Sequence, residues 1–368
     1  MCDLNIPLII FSIGRGDAFL QYSRNQCECN IGLTRQFILL RIIIIVVSTF
    51  SFMNLKGQNK EPKKILDREI ILSVDNDALL FGKNDKYYSS GIFIKYRRLI
   101  DENSEWFKRF NKNDNLSKAI VSYDLVHRMY TPYDIDESDE ANIDRPYAGW
   151  LYVNAGMNYH FNNNSSLIFN YDLGWLGSAT RTDDIQIWWH DLFNMKQPNG
   201  WKHQINNTLA TNFSVLYQKR ILRSGNSFDL IAEQFAQIGT IRNNLKSGLT
   251  MRLGKVGELY NSIYSFSKMG QEKLKVQKIP QKERLQELYF YFNASLEYVL
   301  YNATIDGNFI GSPSEFTKES IPIVLHHSWG IQRSGRWFDY RVSVIFRTKE
   351  VKEAGKHKYI TITLIKRF

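Results

Sequence analysis

The feature that most constrains this chain is a two-residue alternation of apolar and polar side chains that persists over unusually long runs. Between Leu288 and Leu300 every even position carries an apolar or small residue, and the odd positions include Asn293, Ser295 and Glu297. Similar runs lie at 167–175 and 338–346. Strands of soluble proteins average only about five or six residues. Long strands with one apolar and one polar face are typical of a transmembrane barrel with lipid outside and a polar lumen.

Counting such segments predicts an all-β fold, a twelve-stranded antiparallel transmembrane β-barrel. An even number of strands lets an antiparallel sheet close on itself, which removes the unpaired edges that lipid cannot satisfy. The last segment ends at Phe368, as the final strands of outer-membrane proteins do. A soluble sandwich or barrel of many strands is the alternative. The predicted strands are 68–78, 87–98, 118–129, 147–160, 165–176, 208–222, 227–238, 246–255, 286–301, 320–331, 336–348 and 357–368.

Composition excludes several other classes of protein. With 43% hydrophobic and 23% charged residues, the chain is neither a helical membrane bundle nor disordered. The formal net charge is +10, but the basic residues are dispersed and match no nucleic-acid-binding motif, so no nucleic-acid partner is expected. Cys2, Cys27 and Cys29 lack a second pair of metal ligands, and no cysteine follows them. An exported protein without disulfides fits this distribution.

The N-terminal region has the pattern of an export sequence. Arg35 and Arg41 precede the apolar run 42–53, which is too short for a confident membrane span. We therefore expect residues 1–57 to be an N-terminal extension and signal peptide that is removed, with cleavage within 51–60, and 58–368 to be the outer-membrane barrel and catalytic domain. A single-span anchor is the alternative. The expected location is the bacterial outer membrane, and the expected state is a monomer.

Several polar motifs are expected at one rim of the barrel. If both termini are periplasmic, the end of strand 1, the start of strand 2 and the start of strand 4 point outward. These positions carry 75–77, Ser89 and 144–150, and His190 lies in the loop after strand 5. Segment 256–285 is expected to be a helical insertion. The connections expected to face outward are 79–86, 130–146, 177–207, 239–245, 302–319 and 332–335.

Three adjacent oxygen-bearing residues, Asp75, Asn76 and Asp77, end the first strand. Their oxygens suit a hard cation such as Ca²⁺, which takes about six to eight oxygen ligands. Asn76 is in phase with the apolar, lipid-facing positions, whereas Asp75 and Asp77 are in phase with the polar face. Asn76 and Asp77 can therefore act together only if the strand bulges or ends there. A solvated strand end without function is the alternative.

His190 lies in a segment with helical periodicity. Ile185, Trp188, Trp189 and Leu192 form an i, i+3, i+4, i+7 stripe. This predicts a short helix in an extracellular loop, capped by Thr182 or Asp183, with its apolar face against the barrel wall or the lipid interface. A histidine there can act as a general base near neutral pH, or simply lie on the helix surface. His127, His203, His326 and His327 are competing candidates.

Taken in order, these motifs resemble the outer-membrane lipid A 3-O-deacylase family. The likeness covers most of residues 68–368, and the stretch 144–152 is its most specific part. The other matching pieces are 73–77, 88–91, 173–177, 186–190, 200–205 and 306–308. The resemblance implies a barrel whose site lies near the outer leaflet, between the barrel wall and a loop helix. The implied activity is Ca²⁺-dependent hydrolysis of the 3′-linked acyloxyacyl ester of lipid A in lipopolysaccharide.

The resemblance also implies roles for individual residues. Asn76 and Asp77 would hold Ca²⁺ and belong to the catalytic centre, and His190 would be the base that deprotonates a water. Ser89 takes the family's Thr or Ser position, and would orient the water, substrate or ion, or serve as a nucleophile paired with histidine.

One departure from the family pattern concerns a catalytic lysine, which aligns with the loop 131–140. Here that loop is acidic and lacks lysine. Arg128 or Arg145 is expected to substitute for it by stabilising an oxyanion or a lipid phosphate. An outer-membrane phospholipase and a non-enzymatic porin or structural barrel are the alternative functions.

Overall fold

The protein is a closed antiparallel barrel of twelve strands. Each strand pairs with its neighbours in the chain, and β1 pairs with β12. The computed structural model describes residues 65–78, 85–111, 115–271 and 286–368. The strands are β1 Arg68–Asn76, β2 Tyr87–Leu99, β3 Leu116–Thr131, β4 Ala148–Phe161, β5 Ser165–Leu176, β6 Thr208–Ser224, β7 Phe228–Gly239, β8 Arg242–Lys255, β9 Glu287–Asn302, β10 Ile323–Ser334, β11 Phe338–Arg347 and β12 His357–Arg367. Among the described residues, the α-helices are α1 Glu105–Phe110, α2 Thr182–Phe193 and α3 Ala303–Asp306.

The predicted strands are confirmed, most of them to within a few residues. The alternation in β9 produces the expected two faces, because Leu288 and Leu300 are exposed on the outside while Glu287 and Glu297 are buried inside. The fold is therefore the predicted barrel, and the soluble alternative does not explain its apolar outer belt. Residues 1–57, which were expected to be the removed N-terminal segment, lie outside the described residues. Among the described residues, no helix combines the length and apolar character needed to cross a membrane.

The turn between β10 and β11 lies at the opposite rim from the one expected. Arg367 near the C-terminus donates its backbone N–H to the carbonyl of Trp337 at 2.7 Å, so this turn lies at the end where the chain terminates. The expectation that 332–335 faces outward is therefore wrong. The outward connection is 348–356, because it joins the odd-numbered β11 to β12.

The segment after β8 folds back into the barrel instead of forming a separate insertion. Inward-facing basic side chains donate to its backbone carbonyls: Arg97 to Phe266 at 2.6 Å and Lys118 to Ser267 at 2.7 Å. Its described part, 256–271, is mostly turns and irregular backbone and contains no α-helix, with a 3-10 turn at Leu259–Asn261, so the helical expectation is wrong there. Residues 272–285 lie outside the described part of the chain. Segment 256–271 fills the lumen at the periplasmic end.

A cluster of buried apolar side chains covers the other end of the lumen. Ile205, Ile241 and Ala303, from three outward connections, pack with Tyr88 and Trp150 of the barrel wall. Between this cluster and the segment 256–271 lies a polar cavity of about 320 Å³. The lumen is thus covered at both ends, and a site accessible to lipid has to lie on the outer wall.

Candidate active site

The first strand ends where the sequence required it to end. β1 stops at Asn76, and the pairing of β2 with β3 shifts between Tyr88 and Ser90, which leaves Ser89 in a bulge. Of the two expected alternatives for β1, a bulge or a strand end, the strand end is found, and it frees Asp77 from the alternation of the sheet; the bulge at Ser89 lies in β2. Asp75 faces the lumen, where its carboxylate accepts from the Tyr88 hydroxyl at 2.8 Å. Asp75 is thus a structural residue.

Asp77 is buried, and one of its carboxylate oxygens has no hydrogen-bond partner in the described part of the chain. Its Oδ2 accepts from the backbone N–H of Lys86 at 2.7 Å, and its own N–H donates to the Ser89 carbonyl at 3.3 Å. Its Oδ1 is buried without a hydrogen-bond partner among the described residues, although the side chain is only 5% exposed. Burial, and then the nearby negative charge of Asp85, raise the pKa of Asp77 well above its ordinary value. A cation beside this carboxylate would offset both the cost of burying its charge and the repulsion from Asp85.

The loop helix α2 presents its polar face to the barrel and its apolar face outward. Its buried residues are Thr182, Gln186 and His190, spaced four apart on one side. The apolar stripe that includes Trp188 and Leu192 is exposed, so of the two expected positions it takes the lipid interface. The predicted cap at Thr182 or Asp183 is wrong, because the helix begins after Arg181 and no side chain caps it.

A glycine in the barrel wall lets α2 approach closely. A Cβ added to Gly149 of β4 would lie 2.1 Å from the Thr182 hydroxyl and 2.3 Å from that of Thr180. His127, which projects from the same outer wall, hydrogen-bonds the Thr182 hydroxyl through Nε2 at 2.8 Å. These contacts give the Ala-Gly-Trp part of the 144–152 motif a physical reason, since any larger residue would push the helix away.

His190 is buried, 1% exposed, and both of its ring nitrogens face acceptors. Nδ1 contacts the backbone carbonyl of Lys196, and Nε2 lies 2.9 Å from the Asp85 carboxylate. Because neither partner can donate, this arrangement suits the doubly protonated imidazolium. Burial opposes the charge, but the hydrogen bonds to Asp85 and to the Lys196 carbonyl outweigh it, so the pKa of His190 is raised.

Asp85 connects His190 to the rest of the site. The same oxygen that contacts His190 also accepts from Gln186 Nε2 at 3.0 Å. Gln186 in turn accepts from the Trp201 indole at 2.8 Å, and Trp201 packs on Tyr147 with ring centroids 4.7 Å apart. Sequence reasoning missed Asp85. Its only sequence signal was an acidic residue just before the second strand, at the rim where the other motifs meet.

The Ser89 hydroxyl pairs with a threonine. It lies 2.5 Å from the hydroxyl of Thr131 in the neighbouring strand, and both residues are buried. No Ser–His pair therefore occurs among the described contacts of either residue. Of the competing histidines, His326 contacts Glu297 inside the barrel, and His327 stacks on Phe346.

The two arginines considered as substitutes for the family lysine lie elsewhere. Arg128 projects into the lumen, where its guanidinium packs over the rings of Phe93, Trp150 and Tyr152. Arg145 is buried among the loops over the barrel mouth, donating to Thr304 at 2.9 Å and lying 3.6 Å from Glu350. The structure does not bring either one to His190.

Lys196 is a positively charged residue whose backbone contacts the ring of His190. Its carbonyl is the acceptor of His190 Nδ1, and its ammonium lies 2.7 Å from Asp134 and 3.5 Å from Asp136. Both aspartates belong to the acidic loop that lacks the family lysine. The hydrogen bond from Lys196 lowers the pKa of Asp134, and Asp134 raises the pKa of Lys196.

The donor set near Asp77 suits a hard cation. In the described ranges, no group of three or more His, Cys, Asp or Glu side chains is arranged to hold a metal ion. Ca²⁺ sites, however, also use amide and carbonyl oxygens and water. Asp77 Oδ1, which has no partner among the described residues, and the nearby Asp85 carboxylate are oxygen donors of this kind, and Asn76 precedes Asp77 in the chain.

This geometry defines a class of protein: an outer-membrane barrel with a covered lumen and a buried His–Asp pair between its outer wall and a loop helix. The family model "Outer membrane protein LpxR" matches residues 42–368. The chain therefore belongs to the LpxR family.

Two solved structures are similar to this chain, and the first of them shows the same fold. LpxR from Salmonella typhimurium superposes with a TM-score of 0.63 at 18% identity, over 82% of this chain and 100% of that one. The β domain of the Bordetella autotransporter BrkA gives a TM-score of 0.40 at 9% identity, over 83% of this chain and 100% of that one. Comparison with curated proteins finds no match.

Proposed function

We propose that this protein is an outer-membrane lipid A 3-O-deacylase, with Ca²⁺ held by Asn76 and Asp77 and with His190 as the general base. The observation that supports it most is the buried His190–Asp85 pair near Asp77, one oxygen of which has no partner among the residues that the structure describes. This group lies on the outer wall at the rim of the barrel, where an ester of an outer-leaflet lipid can reach it. Family membership makes lipid A the expected substrate.

His190 is oriented by its two partners. The Nδ1–H donates to the Lys196 carbonyl, which fixes the ring and leaves Nε2 as the nitrogen that faces Asp85. His190 can accept a proton only after Asp85 has left Nε2 and the Nε2 proton has been lost. We propose that Asp85 turns toward Asp77 in the active state and that the attacking water takes its place at Nε2.

In this mechanism the water oxygen bonds to the ester carbonyl carbon while His190 Nε2 takes its proton. The tetrahedral intermediate then expels the sugar alkoxide, and His190 returns the proton to that leaving oxygen. The products are a carboxylic acid and a free hydroxyl. Bound Ca²⁺ would polarise the carbonyl and stabilise the oxyanion. Ser89, paired with Thr131, would support the position of the β2 bulge and of Asp77.

Mass spectrometry of lipid A from cells that express the protein tests the proposal. We expect loss of the 3′-linked acyloxyacyl group with the native chain, and roughly 10²–10⁴-fold slower loss with His190→Ala, the range for a general base. Asp77→Asn should show a similar loss. His203→Ala is the matched control, because this rim histidine contacts the Ser138 carbonyl and lies outside the His190 network.

The same measurement separates the alternatives. Fatty acid released from glycerophospholipid but not from lipid A would support a phospholipase and refute the proposal. Unchanged lipid A in the presence of Ca²⁺ and folded native protein would refute the esterase activity on this substrate.

A further inference from the structure

An apolar groove of about 610 Å³ runs along the outer wall of the barrel on the strands that carry the candidate active site. It spans β1 to β5; Asp77 directly follows β1, and Ser89, His127 and Gly149 lie on β2, β3 and β4. Its lining is mostly outward-facing apolar side chains, including Ile94, Leu125, Val153 and Leu173.

One small residue between two tyrosines shapes the groove. Ala155 of β4 is directly opposite Tyr123 of β3 and Tyr171 of β5 in the strand register. The tyrosines stand out from the wall, 55% and 48% exposed, while the alanine methyl group forms the floor. The Thr211 hydroxyl donates to the Tyr171 hydroxyl at 3.0 Å, which fixes one side of the groove.

The groove and the active site share one strand, β4, with the groove further from the rim at Val153 and Ala155. Successive outward positions of β4 are Gly149, against which α2 packs, then Leu151, Val153 and Ala155. At ~3.4 Å per residue, Ala155 lies about 20 Å along the strand from Gly149. This is the direction in which the acyl chains of an outer-leaflet lipid run from the headgroup level toward the membrane centre.

We propose that this groove holds a fatty-acyl chain of the lipid A substrate and thereby positions the ester at His190. The inference rests on the proposed deacylase function and names a binding subsite for it. Lipid around the barrel is as apolar as the groove, so the hydrophobic effect does not favour one over the other. The groove acts through shape: two tyrosine walls restrict where the chain can lie, which orients the ester for attack.

Filling the groove tests the proposal directly. Ala155→Trp places a large apolar side chain between Tyr123 and Tyr171 without introducing a charge. We expect release of the acyloxyacyl group from purified lipopolysaccharide to slow by roughly tenfold, because the ester is less well oriented while the catalytic residues are unchanged. The matched control is Ala294→Trp on β9, which is also outward-facing and exposed but lies outside the groove. Equal rates for the two variants would overturn the proposal.

A second measurement does not depend on catalysis. Lipopolysaccharide carrying diazirine-labelled acyl chains is photolysed with the His190→Ala protein, and labelled peptides are mapped. We expect labelling around 123, 155 and 171 to exceed labelling around Ala294 by roughly tenfold, because only the groove holds a chain in a fixed place. Uniform labelling of β4 and β9 would refute the subsite. A native protein that releases no acyl group from lipid A would instead count against the deacylase itself.

Discussion

At the scale of single residues, the pairing of His190 with Asp85 governs how activity should respond to pH. Asp85 and the Lys196 carbonyl raise the pKa of His190 against the effect of burial. The general base must be deprotonated, so activity should rise as pH increases through this raised pKa. In Asp85→Asn the carboxylate charge is gone, the pKa of His190 falls, and the acidic limb of kcat/KM should move to lower pH. A pH profile of deacylation checks this.

The matched control for that experiment is Asp191→Asn. Asp191 is a neighbouring negative charge that also raises the pKa of His190, but it makes no hydrogen bond to the ring. We expect its acidic limb to shift less than that of Asp85→Asn. An identical profile for the native protein and Asp85→Asn would show that Asp85 does not control the protonation of the base.

Lys196 is the residue that we expect to supply the positive charge missing from the acidic loop. Lys196→Gln removes the ammonium while the backbone carbonyl that holds His190 remains. We expect roughly tenfold lower kcat/KM toward lipid A, since a positive charge that stabilises a phosphate or oxyanion would be lost. Lys202→Gln, another rim lysine, should retain the native rate. Equal rates in both variants would leave Lys196 with a purely structural role.

At the scale of elements, the position of α2 depends on Gly149. In Gly149→Ala the new Cβ would meet the Thr182 hydroxyl at 2.1 Å, so the helix must shift away from the wall. Because His190 lies on the same helix, its contact with Asp85 should lengthen and deacylation should fall about tenfold or more. The pairing of the barrel strands is not altered. Heat-modified electrophoretic mobility should show that the variant is folded, and activity assays should show that it is impaired. Native activity would contradict the dependence of α2 on Gly149.

The amphipathic pattern of α2 predicts a helix but does not say which surface its apolar side contacts. The sequence predicted the helix and its apolar stripe at Ile185, Trp188, Trp189 and Leu192, but left open which surface that stripe would cover. In a membrane, lipid is the apolar partner and the polar face turns inward. Thr182, Gln186 and His190 then become the functional face.

At the scale of the whole molecule, the covered lumen distinguishes an enzyme from a pore. Segment 256–271 fills one end, and the cluster containing Tyr88, Trp150 and Ile205 covers the other. We therefore expect no steady ion conductance when the purified protein is inserted into planar lipid bilayers. A known porin at the same protein concentration is the control. Stable single-channel steps from this protein would favour the porin alternative.

The sequence alone determined the barrel, its strand number and the rim that carries the site. These follow from local physics, because side chains alternate across every strand and an even count places alternate connections at the same end. The family resemblance also singled out Asn76, Asp77, Ser89 and His190, and the alternation along β1 required a bulge or a strand end at Asp77.

Only the tertiary structure decided how these residues are partnered. Asp85 meets His190 because barrel closure and the docking of α2 bring together positions far apart in the chain, and no local pattern encodes that contact. The same reason explains why Arg128 lies in the lumen, why 256–271 fills the barrel and why Ala155 lies between Tyr123 and Tyr171. Each depends on strand register and on packing across the barrel, which alternation along one strand does not specify.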